Sequence, residues 1–84
     1  MNTKEKIKHF FIKELMHEDD LSKINDTDSL IESGLIDSHA IMSLIAFLED
    51  EFKIRIEPQD LLPENFDNIN AISSLVDRIL NTRK

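Results

Sequence analysis

Apolar residues recur at three- and four-residue spacing in three stretches of the chain, which predicts three amphipathic helices. From Asn2 to about His17, Ile7, Phe10, Phe11, Leu15 and Met16 mark one face, while Lys4, Lys6, Lys8 and Lys13 lie mainly off it. Asn2 with Glu5 fits a variant of the capping box that opens helices. From Ser38 to about Lys53, Ile41, Leu44, Ile45, Leu48 and Phe52 form a continuous stripe, with no Pro, Gly or Asn between Ala40 and Phe52. Toward the end, Ile69, Ile72, Leu75, Val76, Ile79 and Leu80 give a third buried face, with Asn68 or Asn70 as the cap. Asn81 to Lys84 reads as a frayed end whose cations complement the helix dipole. Each aliphatic side chain buried on these faces contributes roughly 1.5–3 kcal/mol before entropy is charged.

Between the first two helices, Glu18 to Asp37 is acidic and polar, with apolar anchors at Leu21, Ile24, Leu30, Ile31, Leu35 and Ile36. A connection of that length with such anchors has to cover a core rather than hang free, and long structured loops are often functional. A short helical turn is expected near Ser29 to Ser33, with Asp28 as its cap. Ile54-Arg55-Ile56 alternates like a strand but is too short and has no partner, so it reads as extended loop. Glu57 to Leu61 suits one helical turn with Pro58 at its first position; Pro63 ends it and opens another turn through Phe66. The prediction is an all-α fold: four helical segments in an up-and-down bundle, with a long first loop and a short third helix. One domain over residues 1–84 is expected. There is no internal repeat and no low-complexity tract.

Composition narrows the function classes. Seventeen acidic against ten basic residues give a net charge of −7. That balance repels nucleic acid and anionic membrane and suits basic protein surfaces, although many domains are acidic for solubility alone. The absence of cysteine excludes disulfides, thiolate metal sites and cysteine nucleophiles. His9 and His17 lie near one helix face without an acidic or histidine partner at four-residue spacing, so they read as surface residues and no metal site is expected. Met1 to Lys6 lacks an apolar signal core, and no run approaches a membrane span. A monomer in the cytoplasm, with no membrane insertion, is the expectation.

The candidate chemistry lies in Gly34-Leu35-Ile36-Asp37-Ser38-His39-Ala40-Ile41-Met42. Gly34, the only glycine, is the natural place for a turn with positive φ. Asp37 carries the short side-chain oxygen that accepts from a first helical turn, and Ser38 falls at about the first helical position. Two readings stand at this point. In one, Asp37 and Ser38 only cap a helix. In the other, Ser38 is a modification site, because a helix N-terminus favours an anion such as a phosphodiester.

Asp37-Ser38, preceded by Gly34-Leu35-Ile36 and followed by an apolar helix ending in Leu48-Glu49-Asp50-Glu51-Phe52, resembles the acyl and peptidyl carrier proteins. The resemblance spans nearly the whole chain. Asp28 to Gly34 is similar to that family's loop before the motif. Ile54-Arg55-Ile56 and Asp60-Leu61-Leu62-Pro63-Glu64-Asn65-Phe66 are similar to the segment before its last helix. The resemblance implies a 4′-phosphopantetheine arm, taken from coenzyme A and attached to Ser38, with Asp37 positioning the junction. It implies a phosphopantetheinyl transferase as a partner, then adenylating or acyl-transferring enzymes and downstream synthases. Two positions depart from the pattern: His39 stands where leucine is most frequent, and Ser43 where fatty-acid carriers usually have an acidic residue.

Three functions are open to such a chain. For an enzyme, Ser38 is the only nucleophile with an obvious setting, but adjacent helical residues point about 100° apart, so His39 is poorly placed as its base. No orienting group or oxyanion loop is apparent, and no catalytic residue is expected. An unmodified acidic helical module that binds a protein partner fits composition and periodicity equally well. A carrier explains the serine, the long loop and the acidic balance together. Its cargo would be a thioester of an aminoacyl or other specialised acid, with fatty-acid synthesis as the alternative. Partner contacts are expected at His39, Ile41, Met42 and Ser43. Met42 reads equally as gap-filling core, and His39 as an exposed helix residue or a donor to the arm's phosphate.

Overall fold

Asn2 opens the first helix as its sequence suggests. Its backbone is extended (φ −82°, ψ 176°) and its Oδ1 accepts from the Glu5 amide at 2.8 Å. The return bond goes to the Asn2 side chain, Nδ2 to Glu5 Oε1 at 3.4 Å, instead of to the backbone amide of a full capping box. The computed structural model describes residues 2–17 and 24–82; the expected anchor Leu21 lies outside the described residues. Helix α1 (Thr3–Phe10) runs on into a π turn, Phe11–Leu15, where Met16 N–H donates to Phe11 O at 3.0 Å. An i→i+5 turn breaks the 3.6-residue period. Ile12, absent from the expected apolar face although three and four residues before Leu15 and Met16, is fully buried beside Phe11, while Phe10, Leu15 and Met16 are only half-buried. His9 is also half-buried, not a plain surface residue.

The connection to the second helix buries Ile24 and Leu30 and half-buries Leu35 and Ile36. Ile31 corrects the expectation: it is 41% exposed and anchors nothing in the core. The turn at 29–33 forms, with Ser33 N–H donating to Ser29 O at 3.2 Å. Its cap is Ser29, whose Oγ accepts from Glu32 N at 3.1 Å. Asp28 instead closes the preceding turn by accepting from Asn25 N at 2.9 Å. Gly34 takes the positive φ, 82°.

Helix α2 (Ser38–Phe52) buries Ala40, Leu44 and Leu48. Ile41, Ile45 and Phe52 of the expected stripe are half-buried. Phe47, outside that stripe, stacks on Phe10 with ring centroids 4.4 Å apart and meets Phe52 edge-on at 6.3 Å. The helix stops at Lys53, held at φ 55°, ψ 46°, a left-handed conformation that costs a side-chain-bearing residue about 1 kcal/mol and is usually given to glycine. The acidic end is not simply solvated. Glu49 Oε2 accepts from the Ile56 amide at 2.9 Å, and Glu51 pairs with Lys6 at 3.2 Å; Asp50 remains exposed.

Ile54 to Ile56 is extended, and no strand occurs among the described residues. The short third helix resolves into two single 3-10 turns, Pro58–Asp60 and Pro63–Asn65. Pro63 cannot donate to a helix arriving from Pro58, so neither turn propagates. Asn65 ties the pair together, donating from Nδ2 to Asp60 O at 2.8 Å and accepting from Arg78 Nη2 at 3.1 Å. Helix α3 (Ile69–Thr82) starts on Asn68, not Asn70: Asn68 Oδ1 accepts from Ala71 N at 2.8 Å. Its buried face is as expected except at the end, where Leu80 is 38% exposed. Helix α1 packs on α3, and their inner faces close over Leu30, Leu44, Leu48 and Phe66.

Asp26 joins three elements. Its Oδ1 is buried and meets the Lys8 ammonium at 2.9 Å; Oδ2 lies 3.6 Å from Lys4 Nζ, and its backbone oxygen accepts from Asn70 N at 3.1 Å. The hydrogen bond from Lys8, reinforced by the charges of Lys8 and Lys4, outweighs desolvation and holds the carboxyl below its ordinary 3.8. A carboxylate with a depressed folded-state pKa contributes stability that is complete above its unfolded pKa and is lost as pH falls through the folded one. Asp26→Asn should therefore lower the melting temperature at neutral pH. The gap to the wild type should shrink as the pH is taken well below 3.8, as followed by thermal unfolding in circular dichroism.

Candidate functional site: the Ser38 junction

Three devices place Ser38. Gly34 turns the chain, and its amide donates to Ile31 O at 3.2 Å; Ile36 N–H donates back to Leu30 O at 3.1 Å. Asp37 then sits extended (φ −118°, ψ −174°), its Oδ1 accepting from Ala40 N at 2.8 Å and its carbonyl from Ile41 N at 2.9 Å. The first bond satisfies a first-turn donor that helix geometry leaves without an intrahelical partner, and the second is the opening i→i−4 bond of the helix itself. Ser38 follows as the first residue of α2 and is exposed.

Ser38 stands at the mouth of an almost wholly apolar groove of about 510 Å³. Ile36 comes from the long loop, Ile41 and Met42 from α2, and Leu61, Leu62 and Phe66 from the segment around the two 3-10 turns. Met42 is 67% exposed on the rim, which decides against the gap-filling reading. Leu61 and Leu62 are nearly half exposed. They were missed as site residues from sequence, although two adjacent leucines beside Pro63, outside any amphipathic period, were a usable signal.

The structure brings Ile41 and Met42 together with Ser38 and Asp37, but not the other two expected contact residues. His39 is exposed and does not line the groove. Ser43 faces away from it, into a second groove with Lys6, His9, Phe10 and Phe47 on the α1 side. The reason is angular: one helical residue advances about 100°, so Ser38, Ile41, Met42 and Ile45 share a face that His39 and Ser43 do not.

A family model described as phosphopantetheine attachment site matches residues 5–78. The chain belongs to that family, which carries a covalently attached 4′-phosphopantetheine and whose members are carriers rather than catalysts. A probable acyl carrier protein, PigG of Serratia sp. (strain ATCC 39006), is 38% identical over 50 residues, which is 60% of this chain and 58% of that protein. The match thus spans little more than half of that relative. A chain in a crystal structure of an FAD-dependent dehydrogenase superposes with a TM-score of 0.75 at 24% identity, over 83% of this chain and 97% of that chain; at that identity the likeness concerns the fold alone. No helix among the described residues is long and apolar enough to cross a membrane.

The Ser38 junction fits a phosphodiester-linked arm. Its hydroxyl is accessible, the positive end of the α2 dipole favours an anion, and the carboxylate beside it is turned into the cap by the Ala40 amide. Truncating that cap tests how firmly the junction is held. Asp37→Ala should cost about 1 kcal/mol in urea unfolding, within the 0.5–2 kcal/mol range of N-cap losses, without change in far-UV ellipticity.

Proposed function

We propose that residues 1–84 act as one carrier domain that holds a thioester on a 4′-phosphopantetheine arm attached to Ser38. The observation that carries this reading is the exposed Ser38 hydroxyl at the start of α2, at the mouth of the apolar groove. A phosphopantetheinyl transferase using Mg²⁺ would bring coenzyme A to it. Ser38 Oγ forms the new P–O bond, the pyrophosphate bond of coenzyme A breaks, the nucleotide 3′,5′-bisphosphate leaves, and the serine proton passes to a base of the transferase. When bound, the arm supplies the terminal thiol that this cysteine-free chain lacks. The chain's own part is positional. Asp37 holds the junction, and the domain presents the cargo to successive enzymes at high effective concentration. The test is intact mass after incubation with coenzyme A, Mg²⁺ and a phosphopantetheinyl transferase. One phosphopantetheinyl addition is expected in the wild type and in His39→Leu, and none in folded Ser38→Ala. Labelling of Ser38→Ala would move the site to another serine.

The charge of α2 supports a reading of the cargo. No carboxylate occurs between Asp37 and Glu49, so basic partner surfaces find little to steer by near Ser38. Contact there rests on apolar Ile41 and Met42. A fatty-acid carrier, the alternative, would draw support from the acidic end of α2. Two of those three carboxylates, however, are engaged within the fold by the Ile56 amide and Lys6. The reading favoured is a specialised carrier, loaded with an amino or other carboxylic acid by a dedicated adenylating enzyme. Loading of the modified protein by an adenylating enzyme from its own gene neighbourhood should exceed loading by a malonyl transferase of fatty-acid synthesis at equal concentrations. Efficient malonyl loading alone would reverse the cargo reading and leave the carrier reading in place.

A further inference from the structure

The two sides of the groove beside Ser38 come from segments far apart in sequence, and a pair of residues outside the groove holds them together. Ser29 Oγ donates to Asp67 Oδ1 at 2.7 Å, and the next residue's amide, Leu30 N–H, donates to the Asp67 backbone oxygen at 2.6 Å. Asp67 therefore grips two consecutive residues of the long loop, one with its side chain and one with its backbone. From there the connection to the site is short on both sides. Phe66, next to Asp67, is 3% exposed and lines the groove. Leu30 O accepts from both Ile36 N at 3.1 Å and Ser33 Oγ at 3.1 Å, and Ile36 lines the groove and precedes Asp37-Ser38. The Ser29 hydroxyl is used twice, since it also accepts from Glu32 N to cap the turn that leads to Gly34. Neither Ser29 nor Asp67 touches the groove.

We propose that Ser29 and Asp67 are positioning residues for the modification and use of Ser38: their bond sets the spacing of the groove's two walls and keeps the Ser38 loop in the orientation a partner enzyme engages. The proposal rests on the assignment of Ser38 as the attachment site. A partner that binds only the latched arrangement meets an apparent affinity lowered by the fraction of molecules in that arrangement. Once bound, every molecule is latched. Loss of the bond therefore raises KM for the carrier and leaves kcat alone. Uniform loss of stability in a domain that remains folded moves neither.

The experiment measures transfer from coenzyme A by a phosphopantetheinyl transferase with the carrier as the varied substrate, and, separately, amide hydrogen exchange in the unmodified protein. Ser29→Ala should raise KM by about tenfold or more, the order expected for losing one hydrogen bond to a charged acceptor, with kcat within about twofold. Ser29→Thr, which restores the hydroxyl, should return KM to the wild-type value, and Asp67→Asn, which keeps a neutral acceptor, should fall between. Exchange at the Ile36 amide should quicken in Ser29→Ala while core amides of α3 such as Val76 hold their wild-type rates. If Ser29→Ala does not fold, Asp67→Asn decides by the same readings. An unchanged KM together with an unchanged Ile36 exchange rate would overturn the proposal, as would a fall in kcat at constant KM. Failure of the wild type to be labelled at all would overturn the Ser38 assignment, and the Ile36 exchange rate would still report whether the latch exists.

Discussion

A connection that crosses a core without being a helix has to satisfy its own backbone, and here that obligation falls on Leu30. Its side chain is fully buried among α1, α2 and α3, a burial that contributes roughly 1.5–3 kcal/mol. Leaving its amide unpaired in the same place would cost about 1–3 kcal/mol. The two are of one size, so burying Leu30 is favourable only because Asp67 accepts from that amide and Leu30 O in turn finds Ile36 and Ser33. From this pairing follow the path of the loop, the position of Gly34, and the point at which α2 starts. The long connection is thus a structural member of the fold, and the site stands at its end.

The start of α2 combines an anion-favouring end with a neutral apolar surface. Asp37 spends its carboxylate on the cap, and the next carboxylate on the helix is Glu49. The excess negative charge of the chain is therefore displaced from the site. Some of it is used internally: Asp26 against Lys8 and Lys4, Glu51 against Lys6, Glu49 on the Ile56 amide. The exposed Lys6–Glu51 pair contributes little to stability, unlike Asp26, whose buried Oδ1 meets Lys8. For recognition, what matters is that Glu49 and Glu51 are already engaged by the Ile56 amide and by Lys6.

The three helices were legible because their apolar residues keep a 3.6-residue period over three to four turns, and because Asn2 and Asp37 are caps with the right side-chain chemistry. So was the junction: a single glycine, then Asp-Ser, then an uninterrupted apolar helix. Period alone went wrong where the backbone left it. Ile12, absent from the expected face, is buried within the π turn at Phe11–Leu15, whereas the two turns marked by Pro58 and Pro63 form where the prolines place them, as 3-10 turns.

Sequence by itself determined which residues are apolar, where helices begin, and that Ser38 follows a cap; those are local properties, set by side-chain chemistry within one turn. Only the tertiary structure decided that Asn68 and not Asn70 opens α3, that Ser29 and not Asp28 caps the loop turn, and that Ile31, Leu61 and Leu62 face outward around Ser38. Local rules leave each of those choices nearly equal in energy. Contacts between segments distant in the chain, Asp67 with Ser29 and Leu30 above all, break the tie.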